Sequence, residues 1–398
     1  MQFNPRVEAM SPSATLAMTA RANELRRQGI PVISLSAGEP DFPTPQPIVN
    51  AAIEALQAGK GFTYTDNAGL LELRQAISDK FARENQLTYT PQQIICSNGG
   101  KQSVSQALMV LCRPGDEVLI PAPYWVSYPE MTILAGGTPV TMPTTVETEY
   151  RITPEQLEEA INPNTRVLIF CSPSNPTGSV YTRAEMEALA DVLRRHPHVW
   201  VISDELYEHV VFDAEHVSFA SLDGMLERTV TINGLSKAYA MTGWRLGYAA
   251  APLEVVKAMD KVQSQTTSNP NHIAQIAGIA AFQMDMEPIQ EMVTAFRERR
   301  DRVLEQLLSI PGVACPKPEG AFYLFPDVSA YFGKKTQDGQ VLQNANDLCL
   351  YLLSDAHVAA VPGEGFGDPK GLRISYATSL EKLLQATERM KTSLAKLS

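Results

Sequence analysis

Long apolar runs are missing from this chain. No stretch approaches the ~20 consecutive apolar residues that a bilayer-spanning helix needs, which argues against a membrane protein. Cysteine is sparse. The five residues (Cys96, Cys112, Cys171, Cys315 and Cys349) are odd in number, far apart and never in a C-x-x-C pair. That pattern excludes a disulfide framework and a cysteine-built zinc site, and it implies a reduced interior. The six histidines do not cluster, and His196-Pro-His198 reads as a solvated loop rather than a ligand pair. No metal site is expected. Positive charge is also in deficit, with 33 Lys and Arg against 44 Asp and Glu and a net charge of -11. No basic stretch offsets it, so nucleic acid is excluded as a partner. The first residues, MQFNPRVEAMSPSATLAMTARANELRRQG, lack the apolar core of a signal peptide and carry acids that a transit peptide avoids. A soluble, cytoplasmic protein is the expectation. No internal repeat, low-complexity tract or long linker stands out.

What the chain does have is enough apolar material for a large core. Its 398 residues suggest two or three domains. Hydrophobic residues make up 44% and charged residues 19%, a balance that disfavours disorder. Residues 12 to 28 recur at helical spacing and end in a basic turn and Gly29, which predicts a helix with a glycine stop. From residue 47 to about 290, short β-rich runs such as DEVLIPAP, TRVLIFCSP, HVWVISDE and RTVTING alternate with helical stretches such as RAEMEALADVLRR. Alternation of this kind predicts a largely parallel sheet covered on both faces, an α/β architecture. Beyond 290 a long charged amphipathic helix, the strand-like GAFYLFPDV and GLRISYA, and the helical NDLCLYLLSDAH predict a smaller α+β domain. The expected division is a large domain of residues 48–290 and a discontinuous small domain of residues 1–47 with 291–398.

In open α/β sheets, ligands collect at the carboxyl ends of the strands. Several predicted strands end in polar or glycine-rich segments that admit two readings each. SNGGKQ, residues 97–102, is either an ordinary turn or a helix N-terminus whose N–H groups bind phosphate. It is not a Walker loop, because Ile95 stands where that motif needs glycine. In PYWVSY, Trp125 is either core or a flat face for a planar ligand. The prolines and glycine of SPSNPTG force a turn, yet Asn175 can donate into the sheet mouth. In SDELYEHV, Asp204 is either a helix N-cap or a carboxylate aimed at a cationic nitrogen, with Tyr207 one helical turn on.

The stretch INGLSKAYAMTGWRLGY places Lys237 and Arg245 among small and apolar residues with no acid between them. Burial lowers a lysine pKa, and a neutral amine can attack a carbonyl. Arg245 suits a phosphate because its planar fork binds two oxygens. Arg373, flanked by apolar residues in GLRISYA, needs an anion, and a ligand carboxylate is one candidate.

Taken in order, SAGEPDF, PYWVSYPEM, SPSNPTG, SDELYEH, SKAYAMTGWR and LRISYA make the chain resemble the class I aminotransferases of the fold-type I pyridoxal-phosphate family. More narrowly, it resembles the bacterial aspartate aminotransferases of the branch distinct from the animal type. The resemblance implies a mostly parallel sheet sandwiched by helices in a large domain, a smaller α+β domain, and pyridoxal 5'-phosphate as cofactor. It implies that Lys237 joins the cofactor aldehyde and then shuttles a proton, with Ser236 beside it. Arg245 would grip the phosphate, helped by N–H groups near Gly99, Gly100 and Lys101. Asp204 would pair with the pyridine nitrogen, Tyr207 and Asn175 with the ring hydroxyl oxygen, and Trp125 would stack on the ring. Arg373 would bind the substrate α-carboxylate, with Gly38 in the loop closing over it. Tyr64 would reach the phosphate of a partner subunit, making a homodimer with shared active sites the catalytic unit.

The resemblance also implies transfer of the amino group of L-aspartate to 2-oxoglutarate. The animal-type enzymes of this family read the distal carboxylate with an arginine from the neighbouring subunit. The corresponding stretch here, QSQTTSNPN at 263–271, has none. Lys101 and Thr15 are the expected substitutes, although Lys101 also reads as an exposed first-turn lysine. Relatives that use prephenate tend to carry a basic residue where this chain has Ser11. Aminotransferases for prephenate, aromatic or alanine substrates remain alternatives, as does a pyridoxal-phosphate carbon–sulfur lyase, because a fold does not fix a reaction.

Overall fold

The computed structural model describes residues 2–398. Its centre is a seven-stranded sheet in the order Ile94–Ser97, Gly247–Ala250, Thr229–Gly234, Trp200–Asp204, Thr165–Cys171, Glu117–Ala122, Thr138–Pro143. Six strands run the same way. Gly247–Ala250 alone is antiparallel to both of its neighbours.

Strands buried on both faces should be apolar at odd and even positions alike, as Val167–Phe170 in the middle of the sheet is, whereas the edge strand Thr138–Pro143 is exposed or half-buried except at Met142. Val167 and Ile169 point into one core with Val118 and Ile120. Leu168 and Phe170, the alternate positions, enter another with Leu119. The helices Gly100–Leu111, Ser127–Ala135 and Leu253–Thr266 cover the first face. Arg183–Arg195 covers the second, its apolar positions Met186, Leu189, Ala190 and Leu193 falling on one stripe. Thr182 caps it through the Glu185 N–H, and Glu185 reaches back to the Thr182 N–H. At the sheet edge, Gln46–Gln57, Leu71–Asn85 and His272–Gln283 pack on Ile94, Cys96, Tyr248 and Ala250.

A separate core gathers residues from the N-terminal helix Ala14–Arg27, the helix Glu287–Leu308 and most apolar positions from Ala321 to Leu397. A small antiparallel sheet of Val361–Pro362, Leu372–Ser375 and Tyr323–Leu324 lies within it. Of the strand-like GAFYLFPDV, Tyr323–Leu324 forms a strand, and Gly320 and Asp327 pair through isolated bridges to Val211, Ala314 and Gly371. The expected N-terminal helix spans Ala14–Arg27, capped by Ser13, and stops at Gly29 with φ +85°. Among the described residues no helix is long and apolar enough to cross a membrane.

Of the two readings of Asp204, the helix N-cap is excluded. Asp204 caps no helix, because residues 206–209 form a turn rather than a helix. Asp204 Oδ1 accepts instead from the Leu206 N–H at 3.3 Å, and the Glu205 N–H continues the sheet to Ile232. Burial of Glu205, Tyr207 and Glu208 together on this short segment replaces the exposed face that a surface helix would need.

Candidate active site

Five of the co-directional strands end at one edge of the sheet, and the segments that follow them meet there. Gly100 and Lys101 follow Ile94–Ser97, Trp125 follows Glu117–Ala122, Asn175 follows Thr165–Cys171, Asp204 ends its strand, and Ser236 and Lys237 follow Thr229–Gly234. Arg245 reaches the same edge for the opposite reason. It precedes the antiparallel strand, whose start lies where the others finish. Together with Gly38, Thr15, Tyr207 and Arg373, these residues line one cleft of about 420 Å³. Two residues named with the site do not line this cleft. Gly99 packs behind Arg245 rather than on the cleft wall. Tyr64 is 90% exposed, beside residues 267–272 in a surface groove of its own chain. Residues 263–271 stay outside the cleft as well.

Four cations line the cleft against two carboxylates, Glu39 and Asp204, and neither carboxylate is in ion-pair contact with them. Lys101, Lys237, Arg245 and Arg373 all line it, and none forms an ion pair among the described residues. Lys237 Nζ donates to the Gly38 carbonyl. Burial, then the nearby Arg373, pulls the Lys237 pKa down to about 8 despite opposing Glu39. Arg245 donates to the carbonyls of Thr242 (2.9 Å) and Asn98 (3.2 Å). Its backbone sits at φ +57°, a left-handed conformation that non-glycine residues seldom adopt. Gly99, at φ +88°, leaves room for the fork: a Cβ there would stand 2.6 Å from Arg245 Nη2. Beside it begins the helix Gly100–Leu111, whose first N–H groups have no intrahelical acceptor. A guanidinium without an ion pair beside a helix N-terminus is chemically suited to an anion.

Arg373 is fully buried on Leu372–Ser375. It donates to Asn175 Oδ1 at 3.1 Å and to the Ser36 carbonyl at 2.8 Å, while its Nε has no partner. The guanidinium lies over the rings of Tyr323 (4.6 Å) and Phe366 (5.1 Å). By accepting from Arg373, Asn175 keeps its Nδ2 free for the cleft. Tyr207 shares a 2.9 Å hydrogen bond with Tyr323. Burial pushes its pKa well above the usual phenol value, so it remains a donor. Lys101 Nζ stands 4.8 Å from the Trp125 ring centroid. Desolvation, then Arg245, lowers its pKa.

Three cleft groups escaped the sequence reading. Tyr128 donates to Asp204 Oδ2 at 2.6 Å, Tyr323 backs both Tyr207 and Arg373, and Glu39 accepts from Thr242 at 2.9 Å. Tyr128 carried a usable signal, its i+3 spacing from Trp125. Tyr323 and Glu39 had none, since their partners are distant in sequence.

A mostly parallel α/β sheet with a buried amine, a buried carboxylate and unpaired arginines at its carboxyl edge defines an α/β enzyme. The chain belongs to the class I and II aminotransferases, whose family model matches residues 30–390. It is 52% identical over 398 residues to the "Bifunctional aspartate aminotransferase and glutamate/aspartate-prephenate aminotransferase" of Petunia hybrida, covering 99% of this chain and 83% of that one. The solved aspartate aminotransferase from Rhizobium meliloti superposes with a TM-score of 0.96 at 45% identity, over 100% of both chains. That from Thermus thermophilus, determined with maleate, gives 0.92 at 43% identity, over 99% of this chain and 100% of that one. The fold is therefore that of the fold-type I aminotransferases.

Proposed function

We propose that this chain is an aspartate aminotransferase, reversibly moving the amino group of L-aspartate to 2-oxoglutarate to give oxaloacetate and L-glutamate. One observation carries the reading: four cations line a single cleft without a carboxylate partner. Arg373 is buried among them, and positive charge concentrated on one cleft wall calls for anions from outside the chain. A phosphorylated cofactor and a dicarboxylic substrate supply them.

The residues present fit pyridoxal 5'-phosphate. Arg245, the space left by Gly99, and the N–H groups of Gly100 and Lys101 would hold the phosphate, with Ser236 nearby. Lys237 would hold the aldehyde carbon, Asp204 the ring nitrogen, Asn175 Nδ2 and Tyr207 the ring oxygen, and Trp125 the ring face. When bound, this group supplies an electron sink for charge developing at the substrate Cα. The free Lys237 amine, already shifted toward neutrality, then acts as the base that takes the Cα proton. Arg373 binds the α-carboxylate, and its unpartnered Nε is an additional donor. Gly38 closes beside it, where a Cβ would meet Tyr323 Oη at 3.2 Å. Lys101 and Thr15 are assigned to the distal carboxylate.

The reading includes a homodimer in which Tyr64 serves the partner's site, supported by the exposure of Phe62, Tyr64 and Leu16. It includes a cytoplasmic setting, supported by five unpaired thiols. It also includes the division of residues 48–290 from 1–47 with 291–398. Ile289 packs in the core at the sheet edge, and Met292, one turn on, in the separate C-terminal core.

A panel of amino donors against 2-oxoglutarate tests the substrate assignment. Aspartate is expected to give the highest kcat/KM. A higher value for alanine or an aromatic donor would refute it, and pyruvate released without an acceptor would indicate a lyase. Prephenate as acceptor is a separate arm, since Ser11 is exposed and supplies no charge to the cleft.

A further inference from the structure

Resting on the cofactor reading above, we propose that Tyr128 is a positioning residue that sets both the charge of Asp204 and the tilt of Trp125, so that one side chain organises the ring-nitrogen contact and the ring-face contact together. The geometry is local and complete. Tyr128 is buried on the first turn of the helix Ser127–Ala135. Its hydroxyl donates to Asp204 Oδ2 at 2.6 Å, while Oδ1 takes the Leu206 N–H. Its ring meets Trp125 edge to face, with centroids 5.4 Å apart and planes at 89°.

Both contacts bear on how a planar cation would be held. Asp204 is buried at the cleft floor, and burial works against its charge. The groups that act on it are Tyr128, Glu205 and Lys237, with Cys171 close by against the Tyr128 hydroxyl. Lys237 is the cation among them, and it is the group expected to be consumed on loading. The hydroxyl of Tyr128 therefore remains the side-chain donor that keeps Asp204 ionised. Donation to one oxygen also stops the carboxylate rotating, which leaves its other lone pairs directed at the cleft. The perpendicular ring restrains the indole of Trp125 from turning, through the i+3 spacing of the two residues.

Tyr128→Phe separates the two roles, because it keeps the ring and removes the hydroxyl. Tyr128→Leu removes both. In cofactor-free protein carrying 13C-labelled aspartate carboxyls, the Asp204 resonance is assigned by its loss in Asp204→Asn. Its titration midpoint is expected to move upward in Tyr128→Phe relative to the unsubstituted protein. Binding of pyridoxal 5'-phosphate is expected to weaken about tenfold or more in Tyr128→Phe, and further in Tyr128→Leu, as loss of a charge-assisted hydrogen bond implies. In the Asp204→Asn background the Tyr128→Phe effect should shrink, because the two residues act as one unit. Circular dichroism checks that each variant is folded. Should Tyr128→Phe not fold, 3-fluorotyrosine at position 128, a stronger donor, is expected to move the Asp204 midpoint downward. An unmoved Asp204 midpoint, or additive effects of the two substitutions, overturns the proposal. Failure of the unsubstituted protein to bind the cofactor at all overturns the cofactor reading instead.

Discussion

At the scale of single residues, the cleft is governed by what burial does to charge. Lys237 titrates near 8 because its ammonium is desolvated and faces Arg373. Only the neutral amine attacks an aldehyde. The rate at which cofactor-free protein captures pyridoxal 5'-phosphate should therefore climb about tenfold per pH unit below 8 and level off above it, as stopped-flow absorbance would record. The sign for stability is the same. The folded chain holds this proton less tightly than the unfolded chain, so the group is destabilising below about 8, and the penalty fades as pH rises toward the ordinary lysine value. Arg373→Lys keeps a positive charge but loses the planar fork. It is expected to lower kcat/KM for aspartate by ~10²-fold or more, read from steady-state rates. Lys101→Ser should reduce kcat/KM for aspartate about tenfold more than for alanine; an equal loss for both donors would remove Lys101 from substrate selection.

At the scale of elements, the phosphate end depends on a close approach between a strand and a helix N-terminus. A Cβ on Gly99 would lie 2.6 Å from a flexible guanidinium, and one on Gly247 would lie 2.3 Å from the Gly100 backbone nitrogen. The first can be relieved by moving Arg245, and the second only by parting the strand from the helix. Gly99→Ala should accordingly weaken cofactor binding by about tenfold at a stability cost of ~1–2 kcal/mol, given its positive φ. Gly247→Ala should cost ~3 kcal/mol or more. Chemical denaturation of the two variants in parallel would show the larger loss for Gly247→Ala, with the cofactor absent throughout.

At the scale of the whole molecule, Tyr64 is the informative position. An aromatic side chain 90% exposed in its own chain, beside exposed Phe62, fits a surface meant for a second copy. Hybrid dimers test this. Mixing Tyr64→Ala chains with Lys237→Ala chains should restore roughly a quarter of the sites by random pairing, because each hybrid carries one site with both residues intact. No recovery on mixing would place Tyr64 outside the partner's site.

The sequence by itself determined the elements and most of the chemistry. Short β-rich runs marked the strands, a basic turn and Gly29 marked the end of the first long helix, and Lys237, Arg245 and Arg373 stood among apolar neighbours without local acids. Such signals are legible because they act within a few residues. Tertiary structure alone decided which strand ends share an edge. It turned Gly247–Ala250 antiparallel and so delivered Arg245 to the cleft, and it decided between the two readings of Asp204 by placing a buried turn after it. It set Tyr128 on Asp204, 76 positions away, and left Tyr64 facing outward. Those outcomes follow from sheet order and packing between distant segments, which no local periodicity encodes.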